Sequence, residues 1–223
     1  MAFFSDNFQK LPQEEKAERQ GVQRFFEILL QNLPELLRVN LLFILCSIPI
    51  VTIPAAMTAM SSITTKMVRQ EVFFWREDFF DVFKKSIVKS WGIALPCAGI
   101  LTAAFYLLPF YRQATEVSPV FYAALAIVAM TVLIVILAGM YALPMLGAVE
   151  LGLLPIIRNC VILALIRLPQ NAAAFLASAG VLLLVIAALP VSLIAVVSYL
   201  FSLLSLISSF CAWNGIRKYV LKG

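Results

Sequence analysis

The sequence predicts an all-α fold, a polytopic bundle of about six transmembrane helices with interfacial amphipathic helices beside it. Of the 223 residues, 62% are hydrophobic and only 13% are charged, whereas about 25% of the residues of a soluble domain are charged. The mean hydropathy of +0.97 leaves too little polar surface to cover a soluble core. Several apolar stretches reach the roughly 20 residues that a helix needs to cross a hydrocarbon core about 30 Å thick. Five membrane segments are the alternative.

The residue types that most catalytic sites need are scarce. The sequence has no histidine, which is the commonest metal ligand and general base. The four cysteines lie in or beside apolar stretches without metal-ligand spacing, which favours a packing role. The sequence has no glycine-rich phosphate loop and no paired acidic metal site. We therefore expect no enzyme activity, no cofactor and no bound metal.

The amino-terminal region, residues 1–38, contains an amphipathic helix. From Val22 to Leu37, apolar residues recur at i, i+3 and i+4 on one face, and polar residues occupy the opposite face. Such a helix lies half-buried at the headgroups or docks against a partner subunit.

Residues 36–68 allow two interpretations. A strongly apolar run from Leu41 to Val51 is interrupted by Pro49 and Pro54, and the following residues, up to Thr65, are small and partly hydroxylated. Either one long span crosses the membrane here, or two short helices form a hairpin around the prolines. Basic residues flank both ends of the region, which requires an even number of crossings if both flanks are cytoplasmic. We therefore predict the hairpin, either crossing twice or partly re-entrant.

A second amphipathic helix is predicted from Asp78 to Trp91, lying along the membrane surface. Asp78 is the predicted N-cap, since the helix dipole favours its carboxylate. Lysines point away from the apolar face. That face is formed by Phe79, Phe80, Phe83, Ile87 and Trp91.

Four later stretches are convincing membrane spans, with aromatic residues near their ends. The spans run from Trp91 to Phe110, Val120 to Tyr141, Ala172 to Leu189, and Val191 to Trp213. Serines in the last span are spaced so as to form a small-residue face that lets another helix approach: Ser192, Ser198, Ser202, Ser205, Ser208 and Ser209. We predict a single integral membrane domain over residues 1–223, with membrane helices in 39–213 and a tail at 214–223.

The basic residues set the predicted orientation. They concentrate between Lys66 and Lys89 and in the tail, and the predicted loop between Tyr141 and Ala172 has Arg158 and Arg167. The connection at residues 112–119 has one basic residue, and the connection near Pro190 has none. By the positive-inside rule the basic segments and both termini are cytoplasmic. Since the basic residues flank apolar spans instead of lining one polar face, the net charge of +5 does not predict nucleic-acid binding.

Glu150 is a candidate because an ionisable group at membrane depth is costly and often functional. Within a span it would serve as a proton or ion site, and past the span it would be an ordinary cytoplasmic charge. Pro144 and Gly147 before it and Gly152 after it favour the exposed placement.

Two motifs carry a resemblance to a known family. The first opens at Asn40, reaches a Pro-Ile-Val-Thr turn that ends at Thr52, and continues through Pro54 into a small-residue helix. The second reads Asp78-Phe79-Phe80-x-x-Phe83-Lys84. Together they resemble the YesL-like family of bacterial integral membrane proteins. Beyond residue 95 the similarity is mainly one of hydropathy.

The resemblance implies an accessory, non-catalytic membrane subunit of a carbohydrate or oligosaccharide ABC importer in the bacterial plasma membrane. The expected partners are the permease subunits and their ATPase, the solute-binding protein indirectly, and the lipid bilayer. Pro49 and Pro54 would fix the hairpin turn, with Thr52 bonding freed backbone groups, and the aromatic stripe would anchor a cytoplasmic elbow. The candidates for structural or docking roles are Asn40, Pro49, Thr52, Pro54, Asp78, Phe79, Phe80, Phe83, Trp91, Glu150 and Pro169.

Two alternatives stay open. Glu150 and the Ile-Arg-Leu-Pro sequence that ends at Pro169 have the spacing of the cytoplasmic coupling motif of ABC permeases, although Leu151, Gly152 and Ile156 replace the motif's small residues. The chain would then be a permease-like subunit that lines the translocation path. A membrane sensor or scaffold unrelated to transport is the other alternative.

Overall fold

The computed structural model describes residues 22–116, 118–148, 152–187 and 196–219, and within them every regular element is a helix, as predicted. A 3-10 turn lies at Ile50–Thr52 and a π-helical turn at Val196–Leu200. The helices are α1 (Val22–Gln31), α2 (Leu33–Cys46), α3 (Ile53–Arg69), α4 (Trp75–Ala114), α5 (Phe121–Ala148), α6 (Leu153–Ile166), α7 (Leu168–Ala187) and α8 (Phe201–Tyr219).

Three of the described helices, α4, α5 and α7, are long and apolar enough to cross a membrane, and a fourth candidate arises if α1 and α2 together form one span. Shorter apolar helices occupy Leu153–Ile166 and Ser198–Trp213. The all-helical, membrane-type architecture is therefore confirmed, and the number of six segments stays a prediction.

The chain falls into two compact units, Met1–Leu33 and Pro34–Gly223. In the first unit α1 ends at Gln31, and the backbone N–H of Asn32 donates to the Ile28 carbonyl at 3.2 Å. The amphipathic pattern is thus divided between two helices. Pro34 explains the break, because proline lacks an N–H donor and its ring clashes with the preceding turn unless it stands in a first turn. The single-domain assignment stays a prediction.

Residues 36–68 form two helices, as the hairpin interpretation requires. The first, α2, ends at Cys46, and α3 begins at Ile53 with Pro54 at its second position, where a missing N–H costs nothing. At its other end α3 stops at a left-handed residue, Gln70. The next N–H, of Glu71, then donates to the Lys66 carbonyl at 3.0 Å and caps the helix.

The predicted surface helix at 78–91 and the predicted span at 91–110 are one helix, α4, which corrects the assignment of two elements. α4 has 40 residues and is therefore about 60 Å long. The chain contains no proline from Trp75 to Leu95. Pro96 and Pro109 lie inside the helix, where each removes one backbone hydrogen bond and crowds the preceding turn, and the helix continues through both. Near Trp91 the sequence changes from an amphipathic to a uniformly apolar pattern, but the backbone stays helical.

The centre of the second unit is α3. Twelve of its 17 residues are buried, and it packs against α4, α5 and α8. Most of these buried side chains are small, which lets neighbouring helices approach closely.

A second apolar cluster joins α4, α5 and α8 to α6. This helix lies in the region between Tyr141 and Ala172, which the sequence predicted to be a loop, and its residues Ile156, Cys160 and Leu163 are buried. The loop prediction was wrong because α6 is short and Arg158 and Arg167 suggested an exposed connection.

Candidate functional site

The α2–α3 turn is closed by the side chain of Thr52. Its hydroxyl Oγ1 lies 2.5 Å from the carbonyl oxygen of Cys46 and 2.6 Å from that of Pro49. The Cys46 carbonyl ends α2 and has no partner within the helix. Thr52 therefore makes the backbone contact that the sequence suggested for it, between the two prolines.

The same turn is fixed to α4 by Trp91. The indole Nε1–H of Trp91 donates to the Val51 carbonyl at 2.8 Å. The first motif and the end of the predicted aromatic stripe, 40 residues apart, therefore meet at one point of the fold.

Asn40 connects α2 to the beginning of α8. Its side chain is fully buried, and its Oδ1 accepts a hydrogen bond from the backbone N–H of Ser202 at 3.0 Å. One turn along α2, the rings of Phe43 and Phe201 have centroids 5.0 Å apart. Asn40 therefore joins α2 to the point at which the π-helical turn at Val196–Leu200 passes into α8.

Hydroxyl side chains connect α3 to two of its neighbours, and we name this set the hydroxyl cluster. On one side, Thr58 Oγ1 lies 2.9 Å from Ser90 Oγ of α4. On the other side, Thr64 Oγ1 lies 3.0 Å from Ser205 Oγ and 2.8 Å from Ser209 Oγ of α8. The hydroxyl cluster comprises Thr58, Ser61, Thr64, Ser90, Ser205 and Ser209.

The last span was predicted to offer a small-residue face, and Ser205 and Ser209 do face α3. The partners in α3 and Ser90 were not singled out. The spacing of Thr58, Ser61 and Thr64, three residues apart in an apolar chain, was the available signal, because residues at i and i+3 are neighbours on a helix surface. Over two such steps the hydroxyls pass from the side of α4 to the side of α8.

Asp78 is not the N-cap, which corrects the sequence assignment. The helix begins earlier, with Phe74 as the N-cap residue, and Asp78 is its fourth residue. The carboxylate nevertheless accepts the N–H of Phe74 at 3.0 Å and binds Nζ of Lys66 at 2.8 Å. Glu77 adds a second acid to this first turn, where the helix dipole stabilises negative charge.

Arg69, one turn beyond Lys66, holds α3 to the end of α8. Its guanidinium lies 4.5 Å from the ring centroid of Trp213 and pairs with Glu71. Basic residues here were predicted only as markers of orientation, whereas they also bind the helix ends together.

The aromatic stripe of α4 is partly covered by the protein itself, and most completely at Phe79. Phe79 is completely buried, and it stacks on Phe83 with ring centroids 6.2 Å apart and meets Phe80 edge to face at 5.8 Å. The predicted position at the headgroups is therefore wrong for Phe79, because α3 covers this face of α4.

The opposite face of the same segment is uncovered. Lys84 and Lys89 are exposed, and Val88 between them is 83% exposed. This face of α4 therefore presents both charged and apolar side chains, whereas the face that carries Phe79 is buried.

The remaining two candidates lie elsewhere. Glu150 is outside the described residues, and Pro169 is the exposed second residue of α7. Near Pro169 the sequence analysis missed a buried contact: the Tyr141 hydroxyl donates to Oδ1 of Asn171. The amide of Asn171 in turn donates to the Ala164 carbonyl at 3.0 Å and caps the end of α6.

No group of three or more cysteine, aspartate or glutamate side chains in the described part of the chain is arranged to hold a metal ion. The polar side chains described above hold the helices together, because hydroxyl, amide and indole donors each bind a group of a neighbouring element.

Comparison with known proteins supplies one match. Residues 36–107 match the model of a family described as "Protein of unknown function, DUF624". No curated protein and no solved structure matches the chain. The matched segment covers about a third of the chain and runs from α2 into α4, so it contains both motifs, the turn and the contacts of Thr52, Trp91 and Asp78. Over this segment the chain is similar to DUF624.

Proposed function

We propose that this chain is a non-catalytic accessory subunit of a carbohydrate ABC importer and a member of the YesL-like family. It would reside in the bacterial plasma membrane with both termini in the cytoplasm. The segment similar to DUF624 includes both motifs on which the YesL-like resemblance rests. The three apolar helices α4, α5 and α7 support a membrane location.

The observation that carries the proposal is the two-faced character of α4 between Trp75 and Trp91. One face is buried against α3 through Phe79 and Ser90, whereas the other presents Lys84, Val88 and Lys89. Packing within the chain accounts for the first face only. An exposed valine between lysines at the edge of a membrane domain suits a cytoplasmic partner subunit that has acidic and apolar surface.

In this proposal the subunit supports the complex and does not drive it. The sequence contains no phosphate-binding loop, so the energy of transport comes from the partner ATPase. The hydrogen bonds between α3 and its neighbours would hold α4 in place, so that its exposed face can bind a partner.

Co-purification tests the proposal. The chain is tagged, expressed at its native level and extracted in a mild detergent, and the recovered proteins are identified by mass spectrometry. We expect permease and ATPase subunits with the wild-type chain and their loss from the double variant Lys84→Glu, Lys89→Glu. Both lysines are exposed, so the variant should fold normally.

Gln113→Glu is the matched control, because Gln113 is also exposed on α4 but lies at the far end of the helix. This variant should retain the partners. Failure of the wild-type chain to recover a permease or an ATPase would refute the proposal, and recovery of a sensor kinase instead would favour the sensor alternative.

A further inference from the structure

We infer that the α2–α3 hairpin is re-entrant: its tip, residues 48–51, inserts into the interfacial part of one leaflet beside Trp91 and returns without crossing the bilayer. The hairpin would enter from the side on which the amino-terminal half of α4 lies. This inference concerns the path of the chain through lipid and is independent of the proposed importer.

The register of α3 on α4 provides the first step. The pairs Lys66–Asp78 and Thr58–Ser90 show that the two helices run antiparallel. The turn before α3 reaches Trp91, through its bond to the Val51 carbonyl. The hairpin therefore lies beside the part of α4 that ends at Trp91.

The charge distribution along α4 then sets the depth of this contact. Charged residues occur throughout residues 75–89, and none lies between Lys89 and Arg112. The uncharged part is the only part of α4 that suits a hydrocarbon core. Trp91 stands where it begins, and tryptophan prefers the interface between membrane and water. The hairpin tip is consequently level with the entry of α4 into the bilayer.

The tip itself has the surface of a membrane-inserted segment. Ile48, Ile50 and Val51 are 73%, 77% and 64% exposed. No charged residue occurs between Arg38 and Lys66. Contiguous exposed apolar side chains next to the start of a membrane span bury favourably among acyl chains.

Backbone carbonyls in the turn also accept hydrogen bonds from protein donors, which a segment surrounded by lipid requires. Irregular backbone at membrane depth requires its polar groups to be satisfied by protein. The carbonyls of Cys46 and Pro49 lie within bonding distance of the Thr52 hydroxyl, and that of Val51 accepts the Trp91 indole. An exposed turn in water would not need these donors.

The lengths of the helices agree with a re-entrant path. α2 has 14 residues and α3 has 17, so at 1.5 Å per residue both are shorter than the roughly 30 Å of the hydrocarbon core. A hairpin that does not cross also leaves the basic residues at its two ends, Arg38 and Lys66, on the same side, as the positive-inside rule requires.

Cysteine accessibility in intact and permeabilised cells tests the inference. The four native cysteines are replaced by alanine, and single cysteines are introduced as Ile50→Cys, Val72→Cys or Gln113→Cys. Val72 is the matched control, because it is an exposed branched residue at the other end of α3. A membrane-impermeant maleimide should label Val72→Cys from one side and Gln113→Cys from the other.

For a re-entrant hairpin, Ile50→Cys should show no labelling from the side that labels Gln113→Cys. A nitroxide attached at position 50 in proteoliposomes should collide more often with oxygen than with a water-soluble nickel chelate. Labelling from the Gln113 side would show that the hairpin crosses and would overturn the inference. Dominant collision with the nickel chelate would place the tip in water and would overturn it equally.

Discussion

At the scale of single residues, the α2–α3 turn contains two hydroxyl side chains in opposite situations. Thr52 Oγ1 donates to the Cys46 carbonyl, which α2 leaves free, and also lies 2.6 Å from the Pro49 carbonyl, which already accepts the backbone N–H of Thr52. Ser47 Oγ is buried and has no hydrogen-bond partner among the described residues. A buried polar group without a partner costs free energy, whereas a satisfied one contributes modestly to stability. Removing the two hydroxyl groups should therefore have opposite effects on the free energy of unfolding.

Thr52→Val should lower the free energy of unfolding by about 0.5–1.5 kcal/mol, because it keeps the shape but removes the hydroxyl donor from the Cys46 carbonyl. Ser47→Ala should leave stability unchanged or raise it. Thermal unfolding of the detergent-solubilised protein, followed by intrinsic fluorescence, measures both changes. Equal midpoints for the two variants would show that the Thr52 hydroxyl does not stabilise the turn.

The sequence predicted the α2–α3 turn well, but it did not predict which residues contact the polar side chains of α3. Pro49 and Pro54 restrict the backbone locally, so the break between α2 and α3 follows from the sequence. The partners of Thr64 lie more than 140 positions away in α8. Such a pairing depends on which helices meet, and local sequence carries no information about that.

At the scale of helices, the contact between α3 and α5 depends on Gly147. A Cβ atom at this position would lie 2.8 Å from Cβ of Ser62 and 3.2 Å from the Thr58 carbonyl oxygen. Only a residue without a side chain permits this approach. Gly139, two turns earlier in the same helix, has nothing within 4 Å of such an atom.

Gly147→Ala should therefore destabilise the protein by about 1–3 kcal/mol through overpacking. Gly139→Ala should be neutral or stabilising by up to about 1 kcal/mol, because alanine favours helix. Unfolding of both variants in the same detergent provides the comparison. A drop in stability for Gly139→Ala as large as that for Gly147→Ala would contradict close packing of α3 on α5.

Helix boundaries were predicted less well than helix existence. The change from amphipathic to uniformly apolar sequence near Trp91 suggested two elements, but a change of environment does not require a change of backbone, so α4 continues. The reverse error occurred at Pro34, where one amphipathic pattern covers two helices.

At the scale of the whole molecule, the outward surface of the long helices is apolar. Phe105 in α4, Ile127 in α5 and Leu184 in α7 are all exposed. Exposed apolar surface of this extent is unfavourable in water. Composition alone predicted this property, because it depends on the total of apolar side chains and not on their arrangement.

We expect the protein to remain in the membrane pellet after extraction with alkaline carbonate and to enter solution only with detergent. Peripheral proteins held by charge are released under these conditions, whereas helices surrounded by acyl chains are not. Immunodetection in the pellet and the supernatant gives the result. Release without detergent would contradict the membrane assignment.

The unbroken course of α4 has a mechanical consequence. If α4 moves as one body about 60 Å long, held near Trp91 and pushed at Trp75, a tilt of about 5° around its middle would displace each end by roughly 3 Å. Pressure from a subunit docked at Lys84 and Lys89 would then be felt at the start of α5, because Tyr111 and Phe121 keep their rings 6.3 Å apart. The helix that anchors the chain would thereby also convey motion from one side of the membrane to the other.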